Sequence, residues 1–230
     1  MPLRFLRPGF TPSPLDYREA WAQQRRLHDE LLEDPATADT VLLLEHPPTY
    51  TAGRRTQDSD RPQDGTPVID VDRGGLLTWH GPGQLVAYPI VRLADSGAIR
   101  AYVTALEAAV IDTLAELGIT GERVDGRAGV WVLTPGEPDR KIAAIGIHVE
   151  RGVTMHGLAL NVSNDLAPYE VIVPCGITDA GVTTVTELVG GQHTPASVAP
   201  LLERHLLAHL TPQLAVSPLP VPATAGASRA

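Results

Sequence analysis

The stretch KIAAIGIHVERGVTMHGLALNV, residues 141–162, decides how this chain folds. Apolar residues alternate with others on both sides of Arg151-Gly152, a turn dipeptide, so the stretch reads as two antiparallel strands, 141–150 and 153–162. Upstream, GVWVL is a third strand, joined through the turn PGEPDR. Residues 129–162 therefore form a three-stranded antiparallel meander.

The meander opens on an unusual residue. Of the 18 basic residues in the chain only Lys141 is a lysine, and the rest are arginines. A guanidinium stays charged, whereas a desolvated ammonium can release its proton and act as a base. Downstream, VIVPCGI carries the only cysteine, Cys175, where an apolar strand gives way to a loop between a proline and a glycine. A lone cysteine is commonly a buried small hydrophobe. It is equally a nucleophile when a nearby cation favours its thiolate. Spacing alone leaves both readings open, as it does for Lys141 as a solvated strand end.

Outward from this segment the chain reads as one α/β (α+β) domain over residues 1–211, followed by a Pro- and Ala-rich tail, 212–230, expected to lack fixed structure. Residues 3–6 suggest a short strand. Ser13-Pro14 suggests a helix start, with Leu15, Ala22, Leu27 and Leu31 on its apolar face and Asp34-Pro35 at its end. TVLLLEHPP is a buried strand, and residues 67–72 suggest another. RGGLLTWHGPGQLVAYP, residues 73–89, reads as a hairpin with glycine-rich corners whose free N–H groups suit an anion or a plain tight turn. Residues 99–118 show helical periodicity ending on Gly118, and Thr194-Pro195 opens a last helix.

Composition narrows the function. A net charge of −9 argues against nucleic acid or an anionic membrane as the main partner. No stretch is long enough to span a bilayer, the first residues do not form a secretory signal, and a single cysteine suits a reducing cytoplasm. His80, His148 and His156 fall on strands, whereas His28, His193, His205 and His209 read as solvated. No metal-ligand spacing and no nucleotide-binding glycine fingerprint is present.

Taken together, RGGLLTWHGPGQLVAYP, GVWV, KIAAIGIHV, HGLALNV and VPCGI resemble, in order and spacing, the lipoyl(octanoyl) transferases. The resemblance spans residues 40–187. It implies an acyltransferase of lipoate biosynthesis and protein lipoylation, with the fold of biotin and lipoate protein ligase catalytic domains: a mixed, largely antiparallel sheet flanked by helices. It implies an octanoyl-acyl carrier protein donor, and as acceptors the lipoyl domains of 2-oxoacid dehydrogenases and the glycine cleavage H protein. It implies a thioester on Cys175 with Lys141 beside it, and no cofactor or metal. The implied acyl-binding residues are Arg73, Gly74, Gly75, Leu76, Leu77, Thr78, Trp79 and His80, then Ala144, Ile145 and Gly146, then Gly157, Leu158 and Ala159. Leu158 and Tyr169 stand where phenylalanine is more usual. The alternatives are an ATP-dependent lipoate protein ligase, a thioesterase and a non-catalytic module that binds the acyl carrier. For an acidic carrier, Arg54, Arg55, Arg123, Arg127 and Arg140 are the basic residues nearest the implied site in sequence.

Overall fold

The computed structural model describes residues 3–34, 36–62, 66–95, 97–172 and 180–215. Its first strand, β1 (Arg4–Gly9), runs parallel to β2 (Thr40–Leu44), with helix α1 (Tyr17–Glu33) crossing between them. The expected helix start at Ser13-Pro14 falls too early. Backbone bonds between Gly9, Leu15 and Glu45 hold residues 9–15 alongside the end of β2. The helix starts where Asp16 can cap it, accepting from the N–H groups of Arg18 (2.8 Å) and Glu19 (3.2 Å). Its buried face is Tyr17, Ala20, Gln24, Leu27, His28 and Leu31. Ala22 is exposed, and His28, expected in solvent, is buried.

The remaining strands are β3 (Thr49–Ala52), β4 (Val68–Asp70), β5 (Leu77–His80), β6 (Gln84–Ile90), β7 (Glu122–Val124), β8 (Arg127–Val132), β9 (Arg140–Glu150), β10 (Val153–Asn161) and β11 (Gly181–Val182). The large sheet has the order β1-β2-β6-β10-β9-β8-β7, and β11 pairs in parallel with the start of β9. The meander β8-β9-β10 lies within it, all antiparallel. A second sheet has the order β4-β3-β5. The mixed sheet and flanking helices are the fold class the sequence suggested.

The residues expected to form one hairpin, 73–89, are divided between these two sheets. β5 pairs with β3, whereas β6 pairs with β2 and β10. Gly81-Pro82-Gly83 is a crossing from one sheet to the other. Both strands are wholly buried, so each has better partners than its neighbour in sequence.

Strand alternation divides the large sheet into two faces. Val41 and Leu43 of β2, Leu85 and Ala87 of β6, and Leu158 and Leu160 of β10 meet α2 (Ile99–Glu116) and α4 (Pro195–Leu210). Leu42, Leu44, Val86, Tyr88 and Ala159 face the other way, towards α1. Burial on both sides explains the unbroken run TVLLL. Each fully buried leucine of this core contributes about 2 kcal/mol. Thr194 caps α4 through Ser197 N, as its sequence suggests. A short helix, α3 (Val185–Val189), precedes it. The expected tail boundary falls inside a 3-10 turn, Thr211–Gln213, and the chain stays attached beyond it: Leu214 bridges Leu93, and Ala215 N donates to Arg92 O. Residues 216–230 lie outside the described residues.

Candidate active site

Lys141 owes its position to a one-residue register shift. Val130 pairs with Ala143 but Trp131 pairs with Lys141, so Ile142 is an extra residue in β9. Ala143, Ile145, Ile147 and Val149 face the α2/α4 core, and strict alternation would put Lys141 there too. The shift gives that core position to Ile142 and turns Lys141 to the opposite face. There its Nζ sits 4.6 Å from the centroid of the Trp131 ring, and the residue is buried. Leu166, Tyr169, Glu170, Ala180, Val182 and Glu187 line the same cavity.

On the same face, Ala144 and Gly146 of β9 follow Lys141, about 10 Å further on at Ala144 by strand rise. Ala144 pairs with Ala159 and Gly146 with Gly157, so four small residues meet across β9 and β10 and leave a trough. Residues 73–76, hereafter the strap, cross above it. A Cβ on Gly146 would come within 3.1 Å of Arg73 Cδ and 3.2 Å of Gly74 O, so glycine permits the close approach. Between strap and sheet is a cavity of about 50 Å³, lined by Arg73, Gly75, Leu76, Thr78 and His80 on one side. Ala144, Ile145, Gly146, Gly157, Leu158 and Ala159 line the other, with Tyr17, Tyr88 and His156 around them.

Arg73 shapes the strap. Its buried guanidinium donates to Gly74 O (3.0 Å), Leu76 O (2.9 Å), Thr51 O (2.8 Å) and Thr51 Oγ1 (2.9 Å). A planar fork of donors suits this set of acceptors in a way an ammonium does not. Gly74 N donates to Ile147 O, which anchors the strap to β9.

The histidines and tyrosines in and around the cavity are held neutral by burial. His46 bridges Leu15 O (2.7 Å) through Nδ1 and Tyr88 Oη (2.8 Å) through Nε2. A carbonyl only accepts, so Nδ1 carries the proton and Nε2 accepts from the tyrosine. Burial lowers the His46 pKa to about 4, against weaker support from Leu15 O and Asp16. Burial likewise pushes Tyr17 up to about 12 and Tyr88 well above its usual range. His80 is held well below its usual value by burial and by neighbouring His46, although Gln84 Oε1 accepts from its Nδ1 at 2.8 Å. Gln84 Nε2 in turn donates to Tyr169 Oη (2.8 Å) and Asn161 Oδ1 (3.0 Å). Gln84 therefore links His80 in the small cavity to Tyr169 beside Lys141. The hydroxyl that tyrosine adds at 169 has a structural partner, and it also donates to Trp79 O at 3.2 Å.

His156 departs from its strand. Thr154 and Leu158 point to the α2/α4 side, where Tyr102 and the core lie, yet the His156 ring is near Trp21 of α1 and Tyr88. Its φ of 56° turns the side chain across. That conformation costs about 1 kcal/mol outside glycine. Gln24 Oε1 accepts from its backbone N–H at 2.7 Å, and Asp72 Oδ1 accepts from Nε2 at 2.7 Å. The histidine hydrogen bond lowers the Asp72 pKa to about 2, and burial lowers that of His156.

Of the residues named from sequence, Leu77 and Trp79 do not line the cavity. Alternation along β5 turns them into a separate cluster with Ala52, Tyr169 and Ile172. Gly74 is also outside the lining. The apolar run before Cys175 is not a strand up to Ile172: it follows a 3-10 turn, Ala167–Tyr169, with Val171 exposed and Ile172 buried. Cys175 itself lies outside the described residues. Sequence reasoning missed Tyr17, His46, Asp72, Gln84, Tyr88 and Trp131. Period-two reading of β6 would have put Gln84, Val86 and Tyr88 on one face, and Asp72 directly precedes the arginine and paired glycines. Nothing local marked Tyr17. Among the described residues no cluster suited to a metal ion occurs, and no helix is long and apolar enough to cross a membrane.

The arginines separate into two kinds. Arg123 pairs with Glu107 (3.1 Å) and Arg127 with Asp139 (3.6 Å), so both are committed to the domain's own carboxylates. Arg54 and Arg55 are exposed, and their backbone N–H groups donate to Arg73 O and Gly75 O of the strap.

Comparison with known proteins identifies the family and the fold. The family model described as the lipoyl protein ligase A/B catalytic domain matches residues 16–207. The octanoyltransferase of Leifsonia xyli subsp. xyli is 58% identical over 203 residues, covering 87% of this chain and 89% of the relative. That of Renibacterium salmoninarum is 59% identical over 201 residues, covering 87% and 86%. Among solved structures, Ta0514, a putative lipoate protein ligase from T. acidophilum, superposes with a TM-score of 0.68 at 18% identity, over 92% of this chain and 86% of that one. The chain belongs to the lipoyl protein ligase A/B catalytic domain family, alongside relatives named octanoyltransferase.

Proposed function

We propose that this protein transfers an octanoyl group from an acyl carrier protein to a lysine of lipoyl domains, through a thioester on Cys175. The observation that carries the reading is the single sheet face on which Lys141 and the Ala144/Gly146–Gly157/Ala159 trough lie in line. An acyl chain in the trough directs its carbonyl end towards Lys141. Burial of each methylene is worth about 0.8 kcal/mol, so contact alone recognises an eight-carbon chain. Cys175 is five residues from Ala180 in sequence, and Ala180, Gly181 and Val182 line the Lys141 cavity.

The chemistry follows from these groups. Lys141 as a cation favours the Cys175 thiolate. The sulfur attacks the thioester carbonyl, the bond to the carrier sulfur breaks, and the carrier thiol leaves with the proton of Lys141, which becomes neutral. The acceptor lysine, as a free amine, then attacks acyl-Cys175. Its nitrogen gains the acyl group, the bond to Cys175 breaks, and neutral Lys141 takes the proton. With Gly74 N already donating to Ile147 O, the candidate oxyanion donors are the backbone N–H groups at Gly75 and at Cys175-Gly176. Amide formation from a thioester is downhill, so the reaction draws on no nucleotide. The enzyme acts in the cytoplasm, where its thiol stays reduced.

The test is intact-protein mass spectrometry after mixing with octanoyl-acyl carrier protein without acceptor. An octanoyl adduct on the native chain, absent from Cys175→Ala and discharged by an apo lipoyl domain, supports the thioester route. Product formation by Cys175→Ala at the native rate rules that route out. ATP-dependent loading of free octanoate identifies a ligase instead, and release of free octanoate identifies a thioesterase.

A further inference from the structure

We propose that the Asp72–His156 pair sets how far the strap can lift from the sheet, and so selects the acyl chain by length. The inference rests on the reading above, in which the trough receives the acyl group. The proposed acyl transfer makes no use of this pair. Four contacts fix the His156 ring and backbone: Asp72 from the strap side, Gln24 from α1, and the Tyr88 and Trp21 rings around it. The His156 side chain is 1% exposed and its Nδ1 is buried without a hydrogen-bond partner.

Asp72 is the residue immediately before Arg73. Its bond to β10 therefore pins the start of the strap to the trough floor, while the Arg73 guanidinium draws in the far end through Leu76 O. A water occupies about 30 Å³ of liquid, so a cavity of about 50 Å³ holds one or two waters. An eight-carbon chain needs several times that space. The ligand enters only if the strap rises, which breaks the bond from Gly74 N to Ile147 O, and the Asp72–His156 bond at the start of the strap then limits how far it goes. The left-handed backbone at His156 has a use here, because it takes the imidazole out of the α2/α4 core and into reach of Asp72. The pair is a positioning device and touches no reacting atom.

The test uses the full chain carrying Asp72→Ala or His156→Asn, since asparagine tolerates the backbone conformation at 156 but is too short for the bond. Two readouts are taken: thermal stabilisation by free hexanoic to tetradecanoic acids, and kcat/KM with acyl carriers of six to twelve carbons. Loss of the tether is expected to raise the dodecanoyl-to-octanoyl kcat/KM ratio about ten-fold and to shift the best stabilising acid to a longer chain. Proportional loss at every length, with the ratio within about two-fold of native, overturns the proposal. If His156→Asn does not fold, Asp72→Ala decides, because the carboxylate is partly exposed. A native protein that no fatty acid stabilises and no acyl carrier acylates overturns the trough reading itself, an outcome distinct from proportional loss.

Discussion

Lys141 stands directly across the β8–β9 ladder from Trp131, its Nζ 4.6 Å from the indole centroid. The ring holds the ammonium by a cation–π contact worth about 1 kcal/mol. Lys141→Arg keeps the charge but cannot release its proton. The expected outcome is acylation that continues and transfer to the acceptor amine that falls about 100-fold or more, read by single-turnover mass spectrometry of each half-reaction. Full transfer by the arginine variant would remove the proton-accepting role. Trp131→Leu is expected to slow both steps by less than about ten-fold.

Arg54 and Arg55 are exposed and attached through their backbone to the strap, at the edge of a chain that is acidic overall. Reversing both charges is expected to raise KM for the acyl carrier protein several-fold, with little change in kcat. The difference should shrink as salt shortens the Debye length to below about 8 Å. An unchanged KM at low ionic strength would assign carrier docking to another surface.

His46 makes stability depend on pH. Its folded pKa of about 4 lies below the unfolded 6.5, so its contribution is fully present above pH 6.5 and is lost as pH falls through 4. Protonation would place a donor where Nε2 accepts from Tyr88. The expected loss across that window is about 3 kcal/mol, with burial of His156 adding in the same direction. Urea unfolding at a series of pH values measures it. The slope should flatten in His46→Gln, and an equally steep slope there would exclude His46 as its source.

Gly157 has no room for a side chain. A Cβ there would lie 2.2 Å from Ala87 O and 2.7 Å from Pro89 Cδ, in the strand beside it. Gly157→Ala is expected to cost about 3 kcal/mol or to prevent folding, seen as a lowered denaturant midpoint. A variant of native stability would show that β6 and β10 separate easily at this point.

Much of this architecture was written locally. The α4 cap at Thr194, the doubly buried TVLLL strand and the 129–162 meander each follow from short-range chemistry. The candidate site did not, because it depends on departures from period two. Ile145, Ile147 and Val149 share a phase with Lys141, so regular alternation assigns the lysine to the core, and only the register shift at Ile142 corrects that. His156 is similar: its backbone angle, not its place in the pattern, determines which side it serves. Gly81-Pro82-Gly83 suits a hairpin turn and a crossing between sheets equally well, and long-range pairing made the choice. The strap residues and the small residues of the trough were legible only through the family resemblance.

The crossing at Gly81-Pro82-Gly83 also constrains how the two sheets can move. Gly83 N donates to Glu45 Oε2 at 2.7 Å, Gly83 O accepts from Val162 and Ser163, and the same carboxylate of Glu45 takes the amide and hydroxyl of Thr11. With three residues between β5 and β6 and this many fastenings, that margin works as the spine of a book. The covers can part only at the fore-edge, where residues 73–76 lie.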